Sequence, residues 1–300
     1  MKFAVEVKDF RKQYGEFTAA DGISFQVRPG EIFGLLGPNG AGKTTTLECL
    51  EGMRKADSGN LQVMGVDPGR EFRKLLQVVG VQLQTGALPG NMTVAEAMRL
   101  FGNYRGVTVE NGILDRLGLA EKLNCQYHAL STGQKRRLEL ALAVAHRPRV
   151  VFLDEPTAGL DVSTRQALHQ LMRELKEAGT TIVLSTHDMA EAEQLADRVA
   201  IMLRGQIVAV GTPRELTATG QGLTKVSVRS AGESLETVSL SGITQTLRQE
   251  EYHVYLTEKP GPLVTTIINH IEAAGDELID LRVERPSLEE RFLELTRETA

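Results

Sequence analysis

Tryptophan is absent from these 300 residues, aromatic side chains make up only 5%, and cysteine occurs twice. Cys49 and Cys125 lie far apart and carry no metal-ligand spacing. That excludes a zinc module or a disulfide-stapled domain and reads as reduced thiols of a cytosolic protein. A basic surplus is missing as well: 34 Lys and Arg face 39 Asp and Glu, a net charge of −5. A dedicated nucleic-acid binder shows the opposite balance. Nor is there a long hydrophobic run. The longest uncharged stretch, Leu75 to Ala95, contains three Gln, three Gly, a Pro and an Asn, which no bilayer accepts as a spanning helix. The opening residues, Met-Lys-Phe-Ala-Val-Glu-Val-Lys-Asp, have no apolar core and carry acids, so they are not a signal peptide. In a chain that stays in the cytosol, the glycosylation sequon Asn91-Met-Thr93 is accidental. The expected location is cytoplasmic, with any membrane role supplied by a partner.

What is present is ordinary in bulk and specific in detail. Forty-one per cent hydrophobic and 24% charged residues suit a soluble globular protein. The length suits a large domain plus a small one. One eight-residue run then decides most of the chemistry: Gly37-Pro38-Asn39-Gly40-Ala41-Gly42-Lys43-Thr44, followed by Thr45. It follows the apolar Ile32–Leu36 and opens a helical stretch from Thr45 to Met53, so strand, glycine loop and helix start coincide. Glycines let successive backbone N–H groups turn inward around a polyphosphate, and the helix amino terminus adds its positive dipole end. Lys43 supplies a point charge for the outer phosphates, and the Thr44 hydroxyl is placed to hold Mg²⁺. The chain is expected to bind a nucleoside triphosphate.

The first part of the chain reads as hairpins, with Ile23–Val27 and Glu31–Leu36 flanking the turn Arg28-Pro29-Gly30. Buried strands are expected at Val78–Leu83, Val150–Leu153 and Thr181–Ser185. Helices are expected at Val94–Phe101, capped by Thr93-x-x-Glu96, at Val162–Ala178, and from Thr212-Pro-Arg-Glu215. Alternating strands and helices predict a doubly wound α/β core. From about residue 222 the pattern changes to short strands and two helices, a small α+β appendage. It carries no chemical motif.

Ligands of open α/β sheets bind beyond the carboxyl ends of the strands. Asp154 and Glu155 follow one expected strand, Thr186 and His187 a second, and Gln84 a third, with Gln82 an equally polar rival. Asp154 would complete the shell of a magnesium ion, and Glu155 would orient and deprotonate water. His187 would hydrogen-bond the terminal phosphate, and Gln84 would reach the metal or the attacking water. A further anion site stands at Leu130-Ser131-Thr132-Gly133-Gln134, before a helix on an expected helical insertion from Thr85 to His146. The basic groups Arg70/Arg73/Lys74 and Lys135-Arg136-Arg137 read as solvated helix faces.

Together these motifs resemble the nucleotide-binding subunit of an ABC transporter, over residues 1 to about 216. Gly37–Thr44 matches Walker A, Val150–Glu155 Walker B with the catalytic glutamate, Leu130–Gln134 the signature and Ala158-Gly-Leu-Asp161 the D-loop. His187 matches the switch histidine, and the family pattern prefers Gln84 over Gln82 as the Q-loop glutamine. Tyr14 matches the aromatic that stacks on adenine, which favours ATP. Thr132 departs from the signature, which usually has Gly there. The resemblance implies a P-loop NTPase core of ABC ATPase type over 1–220, with an accessory domain over 222–300. It implies ATP and Mg²⁺ as cofactors, with Thr44, Gln84 and Asp154 on the metal. Two cassettes would pair head to tail, so that Ser131, Gly133, Gln134 and Asp161 serve the partner's ATP. The expected partners are a second ATPase subunit and an integral-membrane permease that would hold the chain at the inner face of the cell membrane, with no nucleic acid. The appendage and the ending Pro286–Leu295 resemble ATPase subunits of drug and antibiotic exporters. Two other readings are a soluble ABC-type factor acting on nucleic acid or ribosomes, and a P-loop kinase. The first usually brings two cassettes or long heptad insertions, and the second leaves the signature and His187 without a role.

Overall fold

The computed structural model describes residues 2–82, 88–107, 112–218, 223–236 and 240–298. The chain divides into two compact units, Met1–Pro213 and Arg214–Ala300. The break expected at 220–222 lies outside the described residues.

The first unit runs β1 (Val5–Tyr14), β2 (Phe17–Val27), β3 (Ile32–Leu36), α1 (Lys43–Leu50), β4 (Ser58–Val63), α2 (Phe72–Val78), β5 (Val79–Gln82), α3 (Val94–Arg105), α4 (Gly112–Arg116), α5 (Thr132–Val144), β6 (Val150–Asp154), α6 (Val162–Glu177), β7 (Thr181–Thr186), α7 (Met189–Leu195), β8 (Arg198–Leu203) and β9 (Gln206–Gly211). A six-stranded sheet has the order β5-β6-β7-β3-β8-β9, parallel except for β8–β9. A three-stranded antiparallel sheet, β2-β1-β4, stands apart from it. The expected hairpin across Arg28-Pro29-Gly30 is therefore wrong. The turn joins strands of two different sheets. All five residues of β3 are buried, and it takes parallel partners on both sides, whereas β2 pairs back onto β1. A Pro-Gly turn reverses the chain without requiring that the flanking strands pair.

The core explains why α1 sits where it does. Leu47 and Leu50 pack with Phe33, Leu35, Val150, Phe152 and Val183 in one buried cluster. Fully burying a side chain such as Phe152 contributes about 1.5–3 kcal/mol, and Phe152→Ala would cost about 3–5 kcal/mol. On β5 a Cβ at Gly80 would run into the Ala143 carbonyl, so the missing side chain is what lets α5 approach that strand. The helices expected from periodicity appear. Thr93 and Glu96 form the reciprocal capping box at the start of α3, and Asp161 caps α6. Arg136 and Arg137 correct the solvated-face reading: Arg136 pairs with Glu139 at 3.2 Å, and Arg137 donates to the Leu117 carbonyl at 2.9 Å. Their long stems pack while their heads reach local acceptors.

The helix α8 (Pro213–Ala218) begins at the end of the first unit. The second unit continues with β10 (Thr224–Ser230), β11 (Gln245–Gln249), β12 (Tyr252–Thr257), α9 (Pro260–Ala273), β13 (Leu278–Glu284) and α10 (Leu288–Glu298). Its sheet, β11-β12-β10-β13, is antiparallel throughout. Leu263, Ile267 and Ile271 of α9 cover Val226, Val228 and Tyr255. At the start of α10 the amide of Ser287 donates to Glu290 and the amide of Glu290 to Ser287 Oγ.

Candidate functional site

Register brings the polar residues together. Leu36 of β3 stands beside Thr186 of β7, and Asp154 of β6 beside Ser185. The loop after β3, the acids at and after the end of β6 and the histidine after β7 therefore emerge together at the carboxyl ends of neighbouring parallel strands. Gly42, at φ 102°, has no room for a Cβ against the Ala19 carbonyl, so the phosphate loop depends on glycine there. Lys43 is buried and donates to the loop's own carbonyls, Gly37 at 2.7 Å and Pro38 at 3.1 Å. Burial lowers its pKa, opposed by the charges of Glu155 and Asp154. Thr44 and Thr45 are half-buried at the first turn of α1.

Asp154 is buried, and the Ser185 hydroxyl donates to it in a short contact. The backbone N–H of Glu155 reaches Ser185 twice, at 3.1 Å to Oγ and 3.2 Å to the carbonyl. Glu155 takes φ 46°, a left-handed conformation uncommon outside glycine, of the kind that clusters at functional sites. Its Oε1 lies 3.1 Å from His187 Nδ1 and 3.9 Å from Lys43 Nζ. One carboxylate thus stands between the exposed histidine and the loop lysine.

Behind this cluster lies a group that sequence reasoning missed. Glu191 of α7 is 3% exposed and accepts three side-chain hydrogen bonds: from Thr157 Oγ1 at 2.6 Å, His169 Nε2 at 2.8 Å and Thr186 Oγ1 at 2.8 Å. Burial pushes its pKa up, and the hydrogen bonds from His169, Thr157 and Thr186 outweigh that and hold it low. The carboxylate ties the segment after Glu155 to the strand end that carries His187. The available signal was an acid four residues beyond His187 on a helix whose neighbours Met189, Ala192 and Leu195 face the core. At the end of α1, Glu51 is 2% exposed, and neither oxygen has a partner among the described residues. Burial, then Asp154 and Glu48, push its pKa up to about 8, so it is largely neutral at pH 7.

The structure places the remaining expected residues as follows. Ser131 caps α5 in a reciprocal box with Gln134, at 3.3 and 3.0 Å. A Cβ at Gly133 would lie 3.1 Å from Thr164, beside the residues that Asp161 caps. Hydrogen bonds from Ser163 and Thr164 hold the exposed Asp161 carboxyl well below its usual range. The signature thus adjoins the D-loop. Tyr14 ends the β1–β2 hairpin with Lys12 Nζ at 5.3 Å and Arg54 at 5.5 Å from its ring. Gln84 lies outside the described residues. Its rival Gln82 is 1% exposed on β5, and neither amide atom has a partner among the described residues. Among the described residues no cluster of three or more His, Cys, Asp or Glu could hold a metal. A hydroxyl at Thr44 and a lone buried carboxylate at Asp154 suit a magnesium ion, which takes one or two protein ligands and fills its shell with phosphate oxygens and water.

Comparison with known proteins agrees with this geometry. The profile of the ABC transporter family matches residues 20–158. The chain is 33% identical to the linearmycin resistance ATP-binding protein LnrL of Bacillus subtilis (strain 168), covering 98% of this chain and 99% of that one. It is 38% identical to the Nod factor export ATP-binding protein I of Ralstonia nicotianae (strain ATCC BAA-1114 / GMI1000), over 97% of this chain and 93% of the relative. Identity to the daunorubicin resistance ATP-binding protein DrrA3 of Streptomyces coeruleorubidus is 34%, over 98% and 96%. Among solved structures, the ATP-binding subunit of an ABC transporter superposes with TM-score 0.67 at 28% identity, over 71% of this chain and 91% of that one. The ADP conformation of the ATP-binding cassette MJ1267 superposes with TM-score 0.64 at 27% identity, over 72% and 93%.

Proposed function

The chain belongs to the ABC transporter family as an ATP-binding, ATP-hydrolysing subunit, and from that premise we propose that it powers export of a drug, antibiotic or other amphipathic molecule through a separately encoded permease. The observation that carries the hydrolytic part is the Glu155 carboxylate, held 3.1 Å from His187 and 3.9 Å from Lys43. Glu155 accepts the proton of the attacking water, His187 steadies that carboxylate and the terminal phosphate, and Lys43 leaves the loop carbonyls to meet phosphate oxygens. Thr44 and Asp154 would hold Mg²⁺, which would supply positive charge against the phosphates. Gln84, which lies outside the described residues, would serve the metal or the attacking water, and Tyr14 would carry the adenine. Ser131, Gly133, Gln134 and Asp161 close on the ATP of a second cassette.

Export rests on the relatives, two of which are named for resistance and one for export. No described helix is long and apolar enough to cross a membrane, and the proposed membrane path is the permease. An exposed apolar strip supports a docking surface for it. Leu100 and Tyr104 lie one turn apart on α3, Phe72 lies on α2, and Arg105 of α3 donates to the Leu76 carbonyl of α2. If the accessory unit from about residue 222 is a separate module, a chain ending near Gly220 should keep basal ATPase. Fractionation tests the reading: salt-washed membranes should retain the protein when its permease is co-expressed. Equal retention without any permease would overturn the reading, and co-purification with ribosomes or nucleic acid would favour the soluble-factor one.

A further inference from the structure

The two edges of the second unit's sheet differ in kind. Every residue of β11 is exposed, and four of the five, Gln245, Thr246, Arg248 and Gln249, are polar. The other edge, β13, exposes Leu278, Ile279 and Val283 at 36, 49 and 48%. Natural sheets guard a free edge with charge or cover it, because its unpaired N–H and C=O groups invite another strand.

The β13 sequence is complementary to itself. About Leu281 the residues Ile279-Asp280-Leu281-Arg282-Val283 read apolar, acid, apolar, base, apolar. An antiparallel copy of the same segment sets Ile279 against Val283 and Asp280 against Arg282, each twice by symmetry. Moving the centre to between Leu281 and Arg282 sets Leu281 against Arg282, Asp280 against Val283 and Ile279 against Glu284, a mismatch at every position. We propose that β13 is the docking edge for β13 of a second copy of this chain, joining two four-stranded sheets into one.

The faces agree with that arrangement. Val283 and Leu281 stand opposite Val226 and Val228, on the face where Leu281 packs toward α9, so Val283 extends an apolar surface already begun, while Ile279 falls at the register shift between Asp280 and Leu278. On the other face Asp280 accepts from Tyr252 Oη at 2.7 Å and from Arg282 Nε at 2.9 Å, which holds both charges in place along the edge. Main-chain hydrogen bonds supply adhesion, and the cross-strand pairs select the register. A pairing of this length is small beside a stable dimer interface, so it reinforces copies already held near each other.

Disulfide trapping on the full chain tests this, with Cys125→Ser as background because Cys49 is buried. Ile279→Cys protein and Val283→Cys protein, both altered at exposed positions, should cross-link when mixed and not when either is alone. Equal yields from all three samples, or none from the mixture, would overturn the proposal. Adding Asp280→Arg to both proteins sets like charges face to face and should lower the yield roughly twofold to fivefold per pair. Adding Asp280→Arg to one and Arg282→Asp to the other restores opposite charges across the edge while each chain's own pair stays broken. Yield should then recover; continued loss, with both proteins folded by circular dichroism, would refute the register. ATPase activity plays no part in the readout, so its outcome is separate from that of the transport reading.

Discussion

Ser185 is the register partner of Asp154, and its hydroxyl both donates to that carboxylate and receives the N–H of Glu155. One side chain on β7 thereby fixes Asp154 at the end of β6 and Glu155 just beyond it, whose carboxylate reaches His187.

Glu155→Gln removes the base and keeps the shape. Turnover should fall by roughly 10²–10⁴, or about 3–5 kcal/mol of barrier, while ATP binding survives and dimers accumulate with nucleotide. Single-turnover hydrolysis beside an equilibrium nucleotide-binding measurement checks both halves. Near-normal hydrolysis would remove Glu155 from the role.

The proposed sharing of ATP sites between copies predicts complementation. Lys43→Ala and Ser131→Arg proteins, each inactive alone, should regain part of the parent ATPase rate when mixed, because one site of the mixed dimer stays intact. A rate no higher than that of the two separate proteins counts against it.

Glu191→Gln withdraws an acceptor from Thr157, His169 or Thr186 without emptying the space. The expected result is kcat lowered about tenfold to a hundredfold with the KM for ATP little changed, because the catalytic groups are displaced and the phosphate loop is not. The carboxylate's pKa is lowered by folding, so its contribution to stability is present above the ordinary glutamate pKa and is lost as pH falls through the lower folded value. Denaturant titrations at descending pH should show the parent losing an increment that Glu191→Gln has already lost.

Glu51 has the opposite sign. Its pKa rises from 4.5 to about 8 on folding, so its stabilising proton is fully held below pH 4.5 and is lost as pH climbs through 8. Glu51→Gln should match the parent near pH 5 and exceed it above pH 8. Each kcal/mol gained there would raise Tm by about 2–4 °C. Thermal melts at the two pH values decide the matter; identical shifts at both would show that the charge is not the cause.

The central strands and the phosphate loop were legible because their signals are local. Val150–Leu153 is solidly apolar, and the glycines of 37–42 sit between a strand and a helix start. The hairpin across Arg28-Pro29-Gly30 failed because turn residues state that a chain bends and not which strand it pairs with. Arg136 and Arg137 misled for a related reason: charge predicts a wet head, while the acceptors that hold it, Glu139 and the Leu117 carbonyl, are known only from the fold. The Glu191 cluster needed three segments to meet, and no spacing in the sequence encodes that meeting.

The direct contact of α5 with β5 at Gly80 has a mechanical consequence. The same helix is capped by Ser131, so the element whose tip is proposed to meet another nucleotide rests at its far end on backbone, with no side chain between as a cushion. Any tilt of that helix is therefore passed on to the strand edge, and the two act as a lever and its fulcrum.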